Sequence, residues 1–261
     1  MELAFVFVDL GKPFYRGAVR LMVDSARLAM PDARIVQLSD KSTRAYPGVD
    51  GIATADIDCT TETICKLKGQ MFADRALTAD DNTVLCDIDL IWNRSPEEIF
   101  ERHFDVAVMW RRETLLQPYN SGVIFTKPTP AARLFWSAYA RCMLELPPSL
   151  AMWFGDQVAL ASLIGPSAPG NVLTRSGAKV LILDMDEIAR APKTEPRETT
   201  DSYCAHFKGL KRRAWMAPYA EYLHRLRPPA GDSVQRPAVL DSAAHVAAGG
   251  DLPAGAGNAA D

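Results

Sequence analysis

The chain has 261 residues, of which 48% are hydrophobic and 23% are charged, a composition that is ordinary for a globular protein. Its formal net charge of −3 gives no electrostatic footprint for nucleic acid, so no nucleic-acid partner is expected. The apolar runs are too short to span a bilayer, and a peripheral association with a membrane stays open.

The opening segment predicts an α/β fold. Leu3–Val8 is a continuous apolar run, which is typical of a strand buried on both faces. Phe14–Met30 has helical spacing and is followed by a proline, and Ala33–Leu38 predicts a second strand. Ligands in such sheets bind beyond the carboxyl ends of strands, which makes Asp9 a candidate site residue. A turn or helix-start aspartate is the alternative.

The next segments predict a turn-rich stretch over Lys41–Asp58 and a helix over Thr63–Ala79. This helix carries three basic residues that form either an exposed face or a phosphate contact: Lys66, Lys68 and Arg75. The later predicted elements are a short helix at Pro96–Arg102, a strand at Val106–Trp110, a helix at Pro128–Leu146, a strand at Lys179–Leu183 and a helix at Tyr219–Leu226.

Two carboxylates follow an apolar strand predicted to begin at Thr83. Because side chains alternate along a strand, Asp87 and Asp89 are expected on one face, with Ile88 pointing into the core. Two such anions repel each other unless a cation lies between them, and Mg²⁺ or Mn²⁺ is the usual one. So short a motif also recurs by chance, as two solvated carboxylates at a strand exit.

Two further polar stretches are candidate site segments. Asn120, Ser121 and Gly122 predict a turn before an apolar strand, where glycine would allow the backbone to approach a ligand, and a plain tight turn is the alternative. Asp156 and Gln157 stand at the predicted start of a helix, where Asp156 could instead be a cap.

A second pair of spaced carboxylates and a basic stretch occur near the end of the domain. Asp184 and Asp186 follow the strand at Lys179–Leu183. Further on, a histidine at a strand end can bind metal, and a glycine with a lysine suits a diphosphate. These residues are His206, Gly209 and Lys211, and a basic surface loop is the alternative.

Four motifs, in this order, resemble the glycosyltransferases of the GT-A fold, the nucleotide-diphospho-sugar transferases, and in particular the glycogenin-like and bacterial retaining galactosyltransferase group. They are Val84-Leu85-Cys86-Asp87-Ile88-Asp89, Tyr119-Asn120-Ser121-Gly122-Val123, Gly155-Asp156-Gln157 and His206-Phe207-Lys208-Gly209-Leu210-Lys211. The resemblance implies one GT-A domain over residues 1–226, with a Rossmann-like, mixed but mostly parallel sheet flanked by helices.

The resemblance also implies roles for the matching residues. Asp87 would contact the ribose and the metal shell, Asp89 would bind the Mn²⁺ or Mg²⁺ ion, and His206 would be the third protein ligand. Other roles are a diphosphate contact by Gly209 and Lys211, a sugar pocket lined by Asn120, Asp156 and Gln157, and a contact of Asp9 with the nucleotide base.

The sequence departs from the family where a Pro-Trp pair usually follows the lysine. It has Arg212-Arg213-Ala214-Trp215 instead, which puts closure of that loop over the diphosphate in doubt, although an extra arginine could supply the same charge. Asp156 is the one candidate nucleophile for a retaining transfer, with Gln157 beside it in the predicted catalytic pair.

We therefore expect a metal-dependent transferase that moves a sugar from a nucleotide-sugar donor, best a UDP-sugar, to a carbohydrate, lipid or protein acceptor. The segments Arg111–Gln117 and Ala189–Asp201 are expected to recognise that acceptor. A phosphatase of the haloacid-dehalogenase type, which also uses Asp-x-Asp, and a non-catalytic sugar-nucleotide-binding domain are the alternatives.

The cysteines and the C-terminal segment complete the prediction. The five cysteines are an odd number without a C-x-x-C spacing, which indicates reduced thiols in a cytoplasmic protein. The N-terminus lacks the basic region and cleavage site of a signal peptide. Residues 227–261 predict a disordered tail, because 19 of the 34 residues from Pro228 onwards are Ala, Gly or Pro.

Overall fold

The first strand is buried on both faces. Each of its five residues, Glu2–Val6, is buried. Leu3 and Phe5 pack into one hydrophobic core, whereas Ala4 and Val6 pack into a second core on the opposite side. Alternating side chains thus supply both cores, which explains the continuous apolar run in the sequence.

The computed structural model describes residues 1–111, 117–193, 195, 199–209 and 213–226. The strands are β1 (Glu2–Val6), β2 (Arg34–Asp40), β3 (Gly51–Ala55), β4 (Thr83–Cys86), β5 (Leu90–Trp92), β6 (Val106–Trp110), β7 (Tyr119–Thr126), β8 (Val172–Arg175), β9 (Ala178–Asp184), β10 (Ala189–Arg190) and β11 (Cys204–His206). The α-helices are α1 (Pro13–Ala29), α2 (Ile64–Thr78), α3 (Pro130–Glu145), α4 (Pro148–Ile164), α5 (Met185–Ile188) and α6 (Met216–Leu226), and a 3-10 helix spans Glu97–Glu101.

The described strands form one large sheet and one small sheet. The large sheet has the order β3-β2-β1-β4-β7-β6-β9-β8. Strands β3, β2, β1 and β4 run parallel, as do β6 and β9, whereas β7 is antiparallel to both of its neighbours and β8 is antiparallel to β9. The expected mixed, mostly parallel α/β sheet is therefore confirmed.

Helices cover the two faces of this sheet. Helices α2, α3 and α4 pack against one another, and their apolar side chains join the core that contains Ala4 and Val6. Helix α1 contributes Val19, Met22 and Val23 to the other core and also contacts β5 and α6. A three-layer arrangement of this kind satisfies both apolar faces of a parallel sheet.

The small sheet has the order β10-β11-β5 and brings distant parts of the chain to one place. Strand β5 begins directly after Asp89 and runs antiparallel to β11, with Leu90 opposite His206. The backbone amide of Phe207 donates to the carbonyl of Asp89 at 2.9 Å. This pairing fixes the position of His206 relative to the Asp-x-Asp motif.

The Asp-x-Asp motif lies in a bend and not in a strand, contrary to the sequence prediction. Strand β4 ends at Cys86, and the chain then leaves the large sheet and enters the small one at Leu90. Ile88 is partly buried, packing on the core and also lining a cavity. The assumption that one strand ran through the whole motif was wrong, because the two apolar runs belong to different sheets.

Two other local predictions were also wrong. Asn120, Ser121 and Gly122 are buried residues of β7 and not a turn before it, and the pairing of β7 with β6 shifts register beside them. The stretch predicted as turn-rich contains the edge strand β3, whose residues alternate between partly buried and exposed. Short edge strands of this kind carry a weak sequence signal because only one face needs apolar residues.

Candidate active site

Three predicted metal ligands converge at the end of β4. One ligand atom each from Asp87, Asp89 and His206 lies within 4.8 Å of the others. The Nε2 atom of His206 is 3.2 Å from Oδ1 of Asp89 and 3.9 Å from Oδ2 of Asp87. Two carboxylates and an imidazole are a donor set that suits Mn²⁺ or Mg²⁺ in combination with phosphate oxygens.

A glycine on the neighbouring strand leaves the room that this cluster occupies. The backbone amide of Asp87 donates to the carbonyl of Gly122 at 2.8 Å. A Cβ atom on Gly122 would lie 2.6 Å from Oδ1 of Asn120, 2.7 Å from Cε1 of His206 and 3.1 Å from Oδ2 of Asp87. The described residues therefore form a cradle that fits a divalent cation and that a larger residue on β7 would disturb.

Each carboxylate of the motif has a basic partner of its own. Lys68 lies 2.5 Å from Oδ1 of Asp87, while Oδ2 of Asp87 faces His206. Burial raises the pKa of Asp89, but its contacts with His206 and the more distant positive charges outweigh this, so that the pKa lies below its ordinary value. The expected repulsion between the two carboxylates is therefore compensated within the protein itself.

Lys68 links the Asp-x-Asp motif to Asp156. Its ammonium group is 3.0 Å from Oδ2 of Asp156 and 3.2 Å from the hydroxyl of Ser121. The Ser121 hydroxyl donates to the same carboxylate oxygen at 2.6 Å. Burial alone would lower the pKa of Lys68, but Asp156 and Asp87 raise it well above its ordinary value. Lys68 is thus a buried, charged residue of the site.

Of the two alternatives for the α2 basic residues, an exposed face holds for Lys66. Arg75 forms an ion pair with the buried Glu2. The contacts of Lys68 with the site carboxylates were not predicted, because a lysine on a helix is usually solvated. The available signal was its spacing of four residues from Phe72, which is fully buried and whose ring lies 5.3 Å from the ammonium.

Asp156 and Gln157 follow a kink in α4. Phe154 has non-helical backbone angles, so a new helical segment begins there, in agreement with the predicted helix start. Oδ1 of Asp156 accepts a hydrogen bond from the backbone amide of the next residue, Gln157, at 2.8 Å, which is not the contact of a helix cap. The other oxygen of Asp156 contacts Lys68 and Ser121.

Arg111 contacts the side chain of Gln157, a contact that was not predicted from the sequence. Nη2 of Arg111 donates to Oε1 of Gln157 at 2.7 Å and to the carbonyl of Gln117 at 2.8 Å. This contact sets the orientation of the Gln157 side-chain amide, since only its oxygen can accept from a guanidinium.

These residues line a cavity of about 310 Å³. Its lining includes the carboxylates of the motif and His206, together with Asn120, Asp156, Gln157 and Lys68. The apolar residues Val8, Leu10 and Ile64 also line it, as do Tyr15, Lys12 and Arg213. A second cavity, of about 280 Å³, shares Asn120, His206 and Lys208 with the first. The two cavities thus meet beside the metal-ligand cluster.

Asp9 lies in the sequence between two residues that line the first cavity, but its side chain contacts Arg16. Its carboxylate accepts hydrogen bonds from the guanidinium at 2.6 and 2.9 Å, and its backbone amide donates to Thr43. The hydrogen bond from Arg16 lowers the pKa of Asp9. The neighbouring Val8 and Leu10 line the cavity, so the expected contact of Asp9 with a base stays a prediction.

The basic stretch after β11 is described only in part. Gly209 has φ of +85°, a conformation that favours glycine. The preceding residue, Lys208, lines both cavities. Burial, followed by the charge of Arg111, lowers the pKa of Lys208. Lys211, the expected diphosphate contact, lies outside the described residues, as does the tail beyond residue 226.

The second pair of spaced carboxylates is not part of the metal-ligand cluster. Oδ1 of Asp184 accepts from the backbone amide of Asp186 at 2.9 Å and so caps α5. Asp186 lines the second cavity. The two similar sequence motifs of this chain therefore lie in different surroundings.

A cysteine also lines the first cavity. Burial, and after it the charge of Asp156, raises the pKa of the Cys65 thiol to about 11. A thiol with such a pKa stays protonated at neutral pH and is a poor nucleophile. Asp156 therefore stays the candidate nucleophile among the described residues of this cavity.

Among the described residues, no helix combines the length and the apolar character needed to cross a membrane.

Comparison with known proteins agrees with this geometry. Residues 57–212 match the model of the nucleotide-diphospho-sugar transferase family. No curated protein sequence matches the chain.

Solved structures with the same fold include the galactosyltransferase LgtC in complex with donor and acceptor sugar analogues. That structure is 17% identical to this chain with a TM-score of 0.55, covering 87% of this chain and 95% of the other. A glycosyltransferase involved in the glycosylation of the major capsid of PBCV-1 is 13% identical with a TM-score of 0.53, covering 86% and 100%. An active-site mutant of LgtC is also similar, at 17% identity and a TM-score of 0.52, with coverage of 87% and 95%.

The family match spans more than half of the chain and includes the metal-ligand cluster together with Asp156, Gln157 and Lys68. The chain belongs to the nucleotide-diphospho-sugar transferase family and is a glycosyltransferase with a GT-A fold.

Proposed function

We propose that the protein is a metal-dependent glycosyltransferase that takes its sugar from a nucleoside-diphosphate sugar. The donor that we expect is a UDP-sugar. The observation that carries the proposal is the convergence of Asp87, Asp89 and His206 in the same cavity as Asp156 and Gln157. A cluster that binds a cation and a diphosphate is useful to a transferase only if it lies beside groups that handle the sugar. The cavity contains both sets.

In this proposal Asp87, Asp89 and His206 hold Mn²⁺ or Mg²⁺, and Asp87 also contacts the ribose. A bound divalent ion would neutralise negative charge that develops on the diphosphate leaving group. Gly209 and Lys211 contact the same diphosphate, and Asp9 stands near the base. Leu10 and Tyr15, which also line the cavity, would suit a nucleoside.

The sugar would lie at the Asn120 and Asp156 end of the cavity. As the bond from the anomeric carbon to the phosphate oxygen breaks, positive charge develops on the sugar, and the Asp156 carboxylate stabilises it or attacks it. Lys68 and Ser121 hold the Asp156 carboxylate in place, and Arg111 holds Gln157. Positioning of this kind lowers the barrier because reactive groups need no further ordering.

Three other parts of the sequence prediction belong to this proposal. The acceptor is a carbohydrate, a lipid or a protein, and a peripheral association with a membrane stays open. The five cysteines are free, which supports the proposed cytoplasmic location. The family membership and the position of the motif argue against the haloacid-dehalogenase alternative.

Calorimetric titration of UDP in the presence of Mn²⁺ and in the presence of a chelator tests this function. We expect Mn²⁺-dependent binding in the wild type, and its loss in Asp89→Asn and in His206→Ala, because each removes one ligand. Asp184→Asn is the control and should bind UDP as the wild type does, since Asp184 caps α5. Wild-type binding by Asp89→Asn, or loss of binding in Asp184→Asn, would show that the wrong motif was chosen.

A further inference from the structure

A buried carboxylate outside the metal-ligand cluster joins two loops at one edge of the large sheet. Asp40 is the last residue of β2 and is 1% exposed. Its Oδ1 atom accepts from the backbone amide of Thr43 at 3.0 Å. Its Oδ2 atom accepts from the hydroxyl of Ser42 at 2.9 Å and from the backbone amide of Cys59 at 3.2 Å. Burial alone would raise the pKa of Asp40, but the hydrogen bonds from these residues lower it, so the carboxylate is ionised at neutral pH.

Thr43 connects this carboxylate to the loop after β1. Thr43 is buried, and its hydroxyl forms a hydrogen bond with Asp40 and also accepts from the backbone amide of Asp9 at 2.9 Å. Because an ionised carboxylate can only accept, the hydroxyl must donate its proton to Asp40, which leaves its lone pairs for the Asp9 amide. The charge of Asp40 therefore sets the direction of the hydrogen bond that holds Asp9.

The loop after β1 is held at two points. The hydroxyl of Ser39 donates to the carbonyl of Phe7 at 2.6 Å, and the hydrogen bond of the Asp9 amide is the second point. Val8 lies between these two anchored residues, and Leu10 follows them. Phe7, Val8 and Leu10 line the first cavity. Side chains at the end of β2 and just after it thus set the position of one wall of this cavity.

The hydrogen bond from Cys59 to Asp40 holds a second wall. Cys59 lies shortly before α2, and two residues that follow it, Thr61 and Ile64, also line the first cavity. Asp40 itself does not line the cavity. One buried carboxylate therefore holds two segments that do, and it acts on the cavity only through them.

We propose that Asp40 and Thr43 are positioning residues of the donor cavity, which fix the two wall segments that contact the nucleoside of the donor. The inference rests on the proposed function, and it deepens that proposal by naming residues that act on the nucleoside without touching it. A cavity whose walls are already fixed binds more tightly, because no further ordering is needed when the ligand arrives. The metal ligands take no part in these hydrogen bonds, so metal binding should not depend on them.

Calorimetric titration of UDP into the full chain at saturating Mn²⁺ tests the proposal. Thr43→Val keeps the shape of the side chain but removes the hydroxyl, so the Asp9 amide loses its partner. We expect UDP to bind about five- to tenfold more weakly, since the loss of one hydrogen bond has an effect of this size. Asp40→Asn should also weaken UDP, because in either orientation its amide nitrogen would face a backbone amide. Thr43→Ser keeps the hydroxyl and should bind UDP as the wild type does.

Titration of Mn²⁺ at saturating UDP is the second readout. Thr43→Val and Asp40→Asn should leave this affinity unchanged, whereas a general loosening of the fold would weaken the binding of both ligands. Protein that fails to fold lowers the number of binding sites in the titration and leaves the affinity of the folded molecules as it was. The two readouts therefore separate positioning of the nucleoside from loss of structure.

Thr54→Val is the matched control, because Thr54 is an exposed residue of the edge strand β3. It should leave both affinities unchanged. The inference is overturned if either Thr43→Val or Asp40→Asn binds UDP as Thr54→Val does. It is also overturned if Thr43→Ser loses as much affinity for UDP as Thr43→Val, or if the affinities for Mn²⁺ and UDP fall together.

The wild-type titration separates this inference from the proposed function. If the wild type binds UDP with Mn²⁺ and the variants bind it equally well, only the positioning role fails. If the wild type does not bind UDP, the proposed function fails, and this inference fails with it.

Discussion

The ammonium group of Lys68 lies 3.0 Å from Oδ2 of Asp156, although one residue is on α2 and the other on α4. Lys68 contacts Asp87 with the same group, so one cation serves two carboxylates from different parts of the chain. Its side chain is 14% exposed, and that of Asp156 is 4% exposed. The burial makes this contact more important for stability than an ion pair on the surface.

Replacement of Lys68 should therefore destabilise the fold as well as the site. We expect Lys68→Met to lower the free energy of unfolding by about 3 kcal/mol in the absence of metal, because it leaves the buried carboxylate of Asp156 and the partly buried one of Asp87 without their cation. Urea unfolding measures the change. Lys66→Met, on the exposed face of the same helix, should change the free energy by less than about 0.5 kcal/mol.

A double-mutant cycle shows whether the contact with Asp156 carries this effect. Asp156→Asn should cost less in the Lys68→Met background than in the wild type, since its partner is already absent. Equal costs in the two backgrounds would mean that Lys68 stabilises the protein through other contacts.

We expect Gly122 to be needed for metal binding because it has no side chain. An added Cβ would lie 2.7 Å from Cε1 of His206 and 2.6 Å from Oδ1 of Asn120, so one of these side chains must move. We expect Gly122→Ala to weaken Mn²⁺ binding about tenfold, as for other changes that disturb the support of a ligand. Manganese titration in the presence of UDP measures it.

Gly17→Ala is the control for that variant. Gly17 is in α1, and its added Cβ would have no atom within 4 Å. Unchanged Mn²⁺ affinity and equal or higher stability are expected, because alanine favours the helix. Were Gly122→Ala to bind Mn²⁺ like Gly17→Ala, His206 and Asn120 would have more freedom than their burial indicates.

Asp40 should make stability depend on pH in the acid range. Burial raises its pKa, but hydrogen bonds from Thr43, Ser42 and the backbone of Cys59 prevail and lower it below 3.8. A lowered pKa in the folded state stabilises the fold above the unfolded-state pKa, and this contribution disappears as the pH falls through the lower folded-state value. The stabilisation is therefore fully present at neutral pH.

The comparison is between wild type and Asp40→Asn, unfolded by urea at a series of pH values. The variant should be less stable by about 1–2 kcal/mol at pH 7, with the difference narrowing below about pH 4. Asp58→Asn serves as the control, since the Asp58 side chain is 70% exposed and pairs only on the surface with Lys41. A difference that stays constant down to pH 3 would contradict the role assigned to the Asp40 charge.

The C-terminal tail should be dispensable. Residues 227–261 are rich in Ala, Gly and Pro, which gives them too little apolar surface to form a core of their own. Truncation after Leu226 should leave the Tm and UDP binding unchanged. A fall in Tm of several degrees would show that the tail packs on the rest of the chain.

The sequence determined the parts of the protein that follow from local pattern. The apolar run at Leu3–Val8 predicted β1, because a strand that supplies two cores has no polar face. The order of the motifs predicted the GT-A fold and named Asp87, Asp89 and His206 as a set. Each of those residue types has ligand atoms whose chemistry is independent of the fold.

Only the tertiary structure decided which charges meet. Lys68 looked like a surface lysine because helix periodicity does not reveal which side of α2 faces a carboxylate on α4. The segments that contain Arg111 and Lys193 were both expected to contact the acceptor, but only the structure shows that these two residues line one cavity. The bend after Cys86 was also not predicted. The apolar runs before and after it look alike in the sequence, although they belong to different sheets. Contacts between distant residues depend on packing, which local pattern does not encode.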